Sequence, residues 1–352
     1  MPEARYRSRR AFQIENPQVR ITVMTEGGHI AELLHKDTGV NPLWSPPWDT
    51  IEPSTYDRAR YPQYGSDAES KLLSGILGHN LCLDTFGPPS DEEAAAGMTV
   101  HGEASILRYD IATTPDELTA RLTMPAAQLR VERRIRLSME SPVAQITETV
   151  ENLSPLDRAS AWTQHVTLGP PFLERGATQF RAPGTRSKSG EGPFGQAREF
   201  DWPYLPRERG AAEDLRVYTS AESSAGFTTH LMDPHREQAF FLAWSPRTRV
   251  LAGYVWKRSD FPWLGIWEEN YSRKNPPWNG RTLTRGMEFG ASPFPETRRQ
   301  MIQRNGLFGM PGYRWIPAHT RVTVHYCAFV TTAPKIPENA VWDGEWAVKF
   351  ED

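Results

Sequence analysis

Two imidazoles and one carboxylate stand in three short segments far apart in the chain: Val100-His101-Gly102-Glu103, Gln164-His165-Val166 and Met287-Glu288-Phe289-Gly290. Each segment sits at or near the end of a strand-like run. Gathered in one cleft, they could open a cyclic hemiacetal. One group would take a proton from the anomeric hydroxyl while another gives one to the ring oxygen. Imidazole titrates near neutral pH and suits the acid. A partly buried glutamate has its proton affinity raised toward the range a general base needs. Each residue also has a plainer reading. His165 could be a core histidine satisfied by a backbone carbonyl, His101 a structural turn histidine, and Glu288 a glutamate on a solvent face.

Further candidates surround these three. Gly102 removes a side chain beside His101, so a ligand could approach the backbone there. Gly78-His79-Asn80 places polar groups inside the apolar run Ile76-Leu77 and Leu81-Cys82-Leu83. His79 and Asn80 must therefore pair with each other or with a ligand. In Trp263-Leu264-Gly265-Ile266-Trp267-Glu268-Glu269-Asn270, strand alternation turns one of the two glutamates inward. Glu268 or Glu269 could accept bonds from sugar hydroxyls, with Trp263 or Trp267 as a stacking platform. The competing reading is a Trp-rich loop that merely packs.

Other chemistries lack a signature. Zinc and calcium motifs are missing, and a metal held by His79, His101 and Glu103 would have no diagnostic spacing. The sequence has no glycine-rich dinucleotide or phosphate loop and no nucleophile elbow. A net charge of -3 offers no general attraction for nucleic acid or an anionic membrane. The Arg5, Arg7, Arg9, Arg10 group reads as part of a solvated N-terminal arm over residues 1–15.

The elements that must position these residues are strands. Val19, Ile21 and Val23 alternate with Arg20 and Thr22. Leu129, Val131, Ile135 and Leu137 share a face, broken only by Arg133. Ile146 and Val150 point opposite to Thr147 and Thr149, and Val322, Val324, Tyr326, Ala328 and Val330 repeat the pattern. This is the period of half-buried antiparallel strands. Phe240 to Trp244 and Leu251 to Trp256 read as more fully buried strands. Short helices are expected within Ser66–Gly75, capped by Ser66, and within Pro295–Arg304. Ser45–Gly65, rich in aromatics, reads as a loop forming a binding wall. Phe172–Ala212, with six glycines and four prolines, reads as a lid or a decorated hairpin.

Composition agrees with a turn-rich β protein. The 352 residues include 30 prolines, 26 glycines and 12 tryptophans. Proline and glycine suit turns better than long helices. Cys82 and Cys327 read as buried free thiols, which fits a reducing compartment, and the cytoplasm is the expected location. No run approaches the roughly 20 apolar residues of a membrane helix. No composition shift marks a domain border, so one β-sandwich domain over residues 1–352 is expected.

In these residues the chain resembles the galactose mutarotase-like (aldose 1-epimerase) family. Gly27-Gly28 precedes Ile30-Ala31-Glu32-Leu33, followed by Gly78-His79-Asn80, His101-Gly102, His165 after an Asn-x-Ser-Pro strand end, and Glu288 before a Pro-rich turn. The resemblance runs from about Val19 to Val330. It implies an all-β fold, an antiparallel β-supersandwich with few short helices. It also implies a small-molecule carbohydrate substrate and acid/base exchange of anomers without a cofactor. His165 then corresponds to the histidine that protonates the ring oxygen, His101 to the second histidine that holds substrate, and Glu288 to the base. Glu268 corresponds loosely to an acidic residue that binds hydroxyls. The family arginine is missing from the Gly78-His79-Asn80 turn, so His79 or Asn80 must take its hydrogen bonds, without its charge or fork. The Trp-rich loops suggest a sugar different from or larger than free galactose. Two alternatives stand: a binding protein without catalysis, and another carbohydrate epimerase or lyase. A lyase would need a cation such as Arg285, Arg281 or Lys257.

Overall fold

A computed structural model describes residues 3–191 and 195–351. Its strands form two large antiparallel sheets, one of 12 strands and one of eight, with three small two-stranded ribbons. The alternating segments are strands in the expected phase. Leu129–Leu137 buries every second residue, Val143–Asn152 pairs with it, and Arg321–Thr332 pairs with Val143–Asn152 from the other side. The apolar faces of the two sheets enclose one core that draws on residues from Ile14 to Val330.

Arg133, the one break in the inward series, lies inside that core. Its Nε donates to Glu148 Oε1 at 2.6 Å, and its other nitrogens reach the Gly28 carbonyl and Gln164 Oε1. Glu148 also accepts from Trp162 Nε1, Gln164 Nε2 and Tyr326 OH. A buried ion pair survives only when its remaining polar atoms are satisfied, and this network does so.

The N-terminal residues are not a solvated arm. Ala4–Tyr6 and Arg9–Glu15 are strands at one edge of the large sheet. Arg9 is buried, donates to the Gly75 carbonyl and pairs with Glu52. Phe172–Ala212 contains a hairpin, as the second of its two readings expects. It supplies Gly184–Ser189 and Glu199–Asp201, the last two strands at the opposite edge.

Helices are short. Ser70–Leu73 forms one, held by Asp67, whose Oδ1 accepts from Glu69 N and Ser70 Oγ; the expected Ser66 cap does not form. Arg298–Arg304 forms another behind a Thr297–Gln300 capping box. A third, Asp91–Ala95, follows the Ser90–Glu93 capping box, a sequence signal that the strand pattern overshadowed.

Candidate active site

Four neighbouring strands of the large sheet build the centre of the site. His79–Asp84 pairs with Arg158–Leu168, which pairs with Leu283–Gly290, which pairs with Trp263–Asn270. In register, Asn80 faces His165, His165 faces Glu288, and Glu288 faces Gly265. Directly opposed residues share a face, so this row presents an amide, an imidazole and a carboxyl side by side. His165 Nε2 lies 3.0 Å from Glu288 Oε1. The approach is close but misaligned, and Glu288 Oε1 makes no hydrogen bond. On its other edge, His165 Nδ1 lies 3.1 Å from Thr167 Oγ1.

His101 comes from the distant turn that precedes the 3-10 turn Glu103–Ser105. Its ring meets that of His165 edge to face, with centroids 4.8 Å apart. Its Nδ1 lies 2.9 Å from Cys82 Sγ. The turn is tight. His101 has φ 67° and Gly102 φ 78°. A Cβ on Gly102 would stand 2.3 Å from the Leu83 carbonyl oxygen. Gly102 is therefore required by close approach of the chain itself, not by a ligand at the backbone.

Burial governs the protonation of this cluster. It holds Glu288 well above the usual carboxylate range. It holds His165 well below 6.5, with His101 adding to the effect. His101 falls to about 4, again through burial and partly offset by the Phe86 carbonyl, although one edge of the residue still meets solvent. The Cys82 thiol is pushed far up, first by burial and then by Glu288. Burial thus disfavours the charged form of each group in the cluster.

Trp267 forms the rim. It is partly exposed, its ring centroid is 6.0 Å from that of His165, and the Arg273 guanidinium lies over it at 5.7 Å. Behind it stand Trp278, Trp44 and Trp48, linked edge to face or stacked. These three are buried, and of loop 45–65 Trp48 and Tyr64 are buried while Tyr56 and Tyr61 pack partly buried against the same cluster, so its aromatics pack behind the rim more than they display a surface.

The remaining sequence candidates lie elsewhere. His79 is one residue out of phase with Asn80 and turns into the inter-sheet core. There its Nε2 meets Gln164 Oε1 at 2.9 Å and its Nδ1 meets Tyr254 OH at 3.2 Å. It is not positioned to contact a ligand beside His165. Glu268 faces away from Glu288 and is bound by the guanidinium of Arg285, a residue fully buried under Phe180 and Tyr218. Glu269 has the site-facing phase, but its carboxylate is spent on Ser272 N, Ser272 Oγ and Arg273 N. Trp263 is fully buried and donates to the Pro311 carbonyl, which makes it packing and not a platform. Cys82, Trp278 and Arg273 were not singled out from sequence. Their strand parity and loop packing carry no local signal.

No protein-family model matches the sequence, and no curated protein matches it. Solved structures are similar in shape. A candidate aldose 1-epimerase of Klebsiella pneumoniae superposes with a TM-score of 0.64 at 14% identity, over 92% of this chain and 80% of that one. A galactose mutarotase-like protein of Lactobacillus casei gives 0.59 at 13% identity, over 91% and 100%. A galactose mutarotase-like protein of Clostridium acetobutylicum gives 0.60 at 13% identity, over 94% and 98%. At such identities the likeness is one of architecture, and the chain has the galactose mutarotase-like all-β fold.

Proposed function

We propose that this protein interconverts the anomers of an aldose by acid/base ring opening. The observation that carries this reading is the opposed pair His165 and Glu288, with Nε2 and Oε1 3.0 Å apart beside the His101 ring. A neutral carboxylic acid beside a neutral imidazole holds the same number of protons as a carboxylate beside an imidazolium. Moving one proton from Glu288 to His165 therefore yields the working state without exchange with solvent. Glu288 then takes the anomeric hydroxyl proton while His165 protonates the ring oxygen. The open aldehyde rotates, and the roles exchange as the other anomer closes. No external cofactor enters this cycle. Asn80 offers an amide to a sugar hydroxyl, and Trp267 offers a rim on which a pyranose can stack. The solved neighbours named for aldose 1-epimerase or mutarotase likeness support the same reaction class. The two buried free thiols fit a cytoplasmic location.

Saturation-transfer NMR across a panel of aldoses tests the proposal. Wild-type protein should accelerate exchange, and His165→Ala and Glu288→Gln should both remove it. Wild-type rates in both variants would overturn the assignment.

A second reading is sugar binding without catalysis. It is favoured by Asn80 standing where charge is expected, since an amide cannot supply the electrostatic stabilisation of a guanidinium. Calorimetry showing affinity for a sugar whose anomers do not exchange would select it. The lyase alternative is weakened because Arg285 is held on the opposite face by Glu268.

A further inference from the structure

We propose that the cleft walled by Phe227, Phe294 and Arg304 is a second sugar subsite, so that the ligand is a neutral reducing di- or oligosaccharide with its reducing-end ring at His165 and Glu288 and its next ring in the cleft. This rests on the reading of the His165–Glu288 site as a sugar site.

The cleft encloses about 510 Å³ between the segment at Gly190 and Phe227 and the turn and helix that run from Phe294 to Arg304. Small-molecule sites occupy roughly 300–1,000 Å³. Its walls are fixed by the chain. Gly190 N donates to the Phe227 carbonyl at 2.7 Å. On the opposite side, a Cβ on Gly87 would stand 2.3 Å from the Pro295 carbonyl carbon, so the Pro-rich turn is seated directly on the backbone of Gly87. The Thr297–Gln300 capping box then starts the helix that carries Gln303 and Arg304.

Phe227 joins the cleft to the acid/base pair. It stands opposite Trp267 in register, and opposed residues share a face, here the face of Gly265 and Glu288. The end of the Phe227 ring and the Glu288 Cβ lie 2.7 and 3.5 Å from the place that a Gly265 Cβ would take. On its other flank the Phe227 ring meets Phe86, whose ring centroid is 6.3 Å from that of His101. One aromatic ring thus separates the centre of the site from the cleft, and a sugar held at Glu288 has its neighbouring ring beside the cleft.

The polar groups of the cleft match a second sugar. Glu296 Oε1 accepts from Arg304 Nε at 2.5 Å, while Glu296 Oε2 is buried and has no hydrogen-bond partner among the described residues. Native proteins keep such atoms where function uses them. Arg304 lies over the Phe294 ring at 4.8 Å, and its bond to Glu296 leaves the two terminal nitrogens as donors. Gln300 spends Oε1 on the Thr297 cap, which leaves its Nε2 hydrogens. The set offers an acceptor and several donors over an apolar wall of Phe294 and Pro295. A pyranose, with hydroxyls that give and take and an apolar C–H face, fits that combination. Charge excludes a phosphorylated sugar. Burial and Glu191 raise the Glu296 carboxyl while Arg304 and Lys188 lower it, so two carboxylates balance two cations and leave no excess positive charge for a phosphate.

Calorimetry with maltose, cellobiose, lactose and melibiose against glucose and galactose tests the subsite. At least one disaccharide should bind the wild type about tenfold more tightly than either monosaccharide, the worth of one or two hydrogen bonds. Glu296→Gln and Gln303→Ala should each shrink that ratio severalfold. Gln303 is exposed and makes no hydrogen bond among the described residues, so its variant folds even if Glu296→Gln does not. No disaccharide preference in the wild type, or a preference untouched in Gln303→Ala and in folded Glu296→Gln, would overturn the proposal. Saturation-transfer NMR on the same sugars keeps the two readings apart. Tighter disaccharide binding without anomer exchange retains the subsite and rejects the enzymatic reading. Equal affinity and equal exchange for both sugar sizes retains the enzyme and rejects the subsite.

Discussion

Glu288 and His165 stand directly opposite one another on paired strands, 3.0 Å apart at Oε1 and Nε2, yet Glu288 Oε1 is left without a hydrogen bond. The carboxyl is thus held in a dry place where it is poorly satisfied. Such an arrangement costs stability and supplies reactivity. Glu288→Gln should lower anomer exchange by about a thousandfold, within the usual worth of a general base. It should leave the melting temperature unchanged or raise it. His165→Ala should lose a similar factor, and the double variant should lose little more, because the two act as a unit. Polarimetry and thermal unfolding check both halves. A Glu288→Gln variant that is inactive but strongly destabilised would place Glu288 in the architecture instead.

The buried histidines make stability depend on pH in a defined direction. Burial lowers His29 to about 3, with Arg9 adding to it, and lowers His230 to about 3, with Arg285 adding to it. In the unfolded chain an imidazole titrates near about 6.5. As pH falls through that value the unfolded state takes up protons that the folded state refuses, so stability drains from about pH 6.5 downward. Glu288 acts with the opposite sign. Its folded form keeps a proton that the unfolded chain loses above about pH 4.3, so its contribution falls as pH rises. His165 beside it offsets that effect, whereas His29 and His230 have no such partner. The urea midpoint should fall steadily from pH 6.5 to pH 4. His230→Gln should flatten the slope by about one proton, or about 1.4 kcal/mol per pH unit. A midpoint independent of pH over that range would contradict the assignment.

Sequence made the strands legible because each buries one face, and a period of two survives in the residue pattern. It also pointed to His165 and Glu288, polar residues inside apolar runs that demand a reason, and to His101 through the turn and the Gly102 beside it. It could not say which of two adjacent residues faces the site. His79 and Asn80 are neighbours with opposite orientation, as are Glu268 and Glu269. The choice is fixed by register against other strands, a distant one where Asn80 meets His165 and the next one along the chain where Glu268 meets Arg285. Cys82 was read as a small buried hydrophobe, and its bond to His101 depends on a turn whose path the sequence does not reveal. The N-terminal arginines looked solvated because charge is the only local cue. The Gly75 carbonyl and Glu52, which receive Arg9, lie elsewhere in the chain.

The Arg133–Glu148 pair should behave as a buried network and not as an isolated salt bridge. Arg133→Leu leaves the Glu148 carboxylate inside the core with its guanidinium partner gone, which costs about 3–5 kcal/mol. Chemical denaturation measures this. A loss below about 1 kcal/mol would mean that Trp162, Gln164 and Tyr326 satisfy Glu148 by themselves.

Gly286 separates folding from catalysis most sharply. It lies two residues before Glu288 on the same strand and face, and a Cβ built there would stand 2.3 Å from Glu288 Oε1. Its backbone has no positive φ, so alanine brings no conformational strain. The atom it strikes is the free end of a side chain, which can swing aside. Gly286→Ala should therefore fold with a stability within about 1 kcal/mol of wild type. The displaced carboxyl, however, should cost about a hundredfold in exchange rate, since a shift of about 1 Å at a reacting group has that effect. The affinity for sugar should change far less than the rate, because Asn80 and Trp267 are untouched. Calorimetry and saturation-transfer NMR on the same sample compare the two. Equal losses in binding and rate would mean that Glu288 grips the ligand rather than moving its proton.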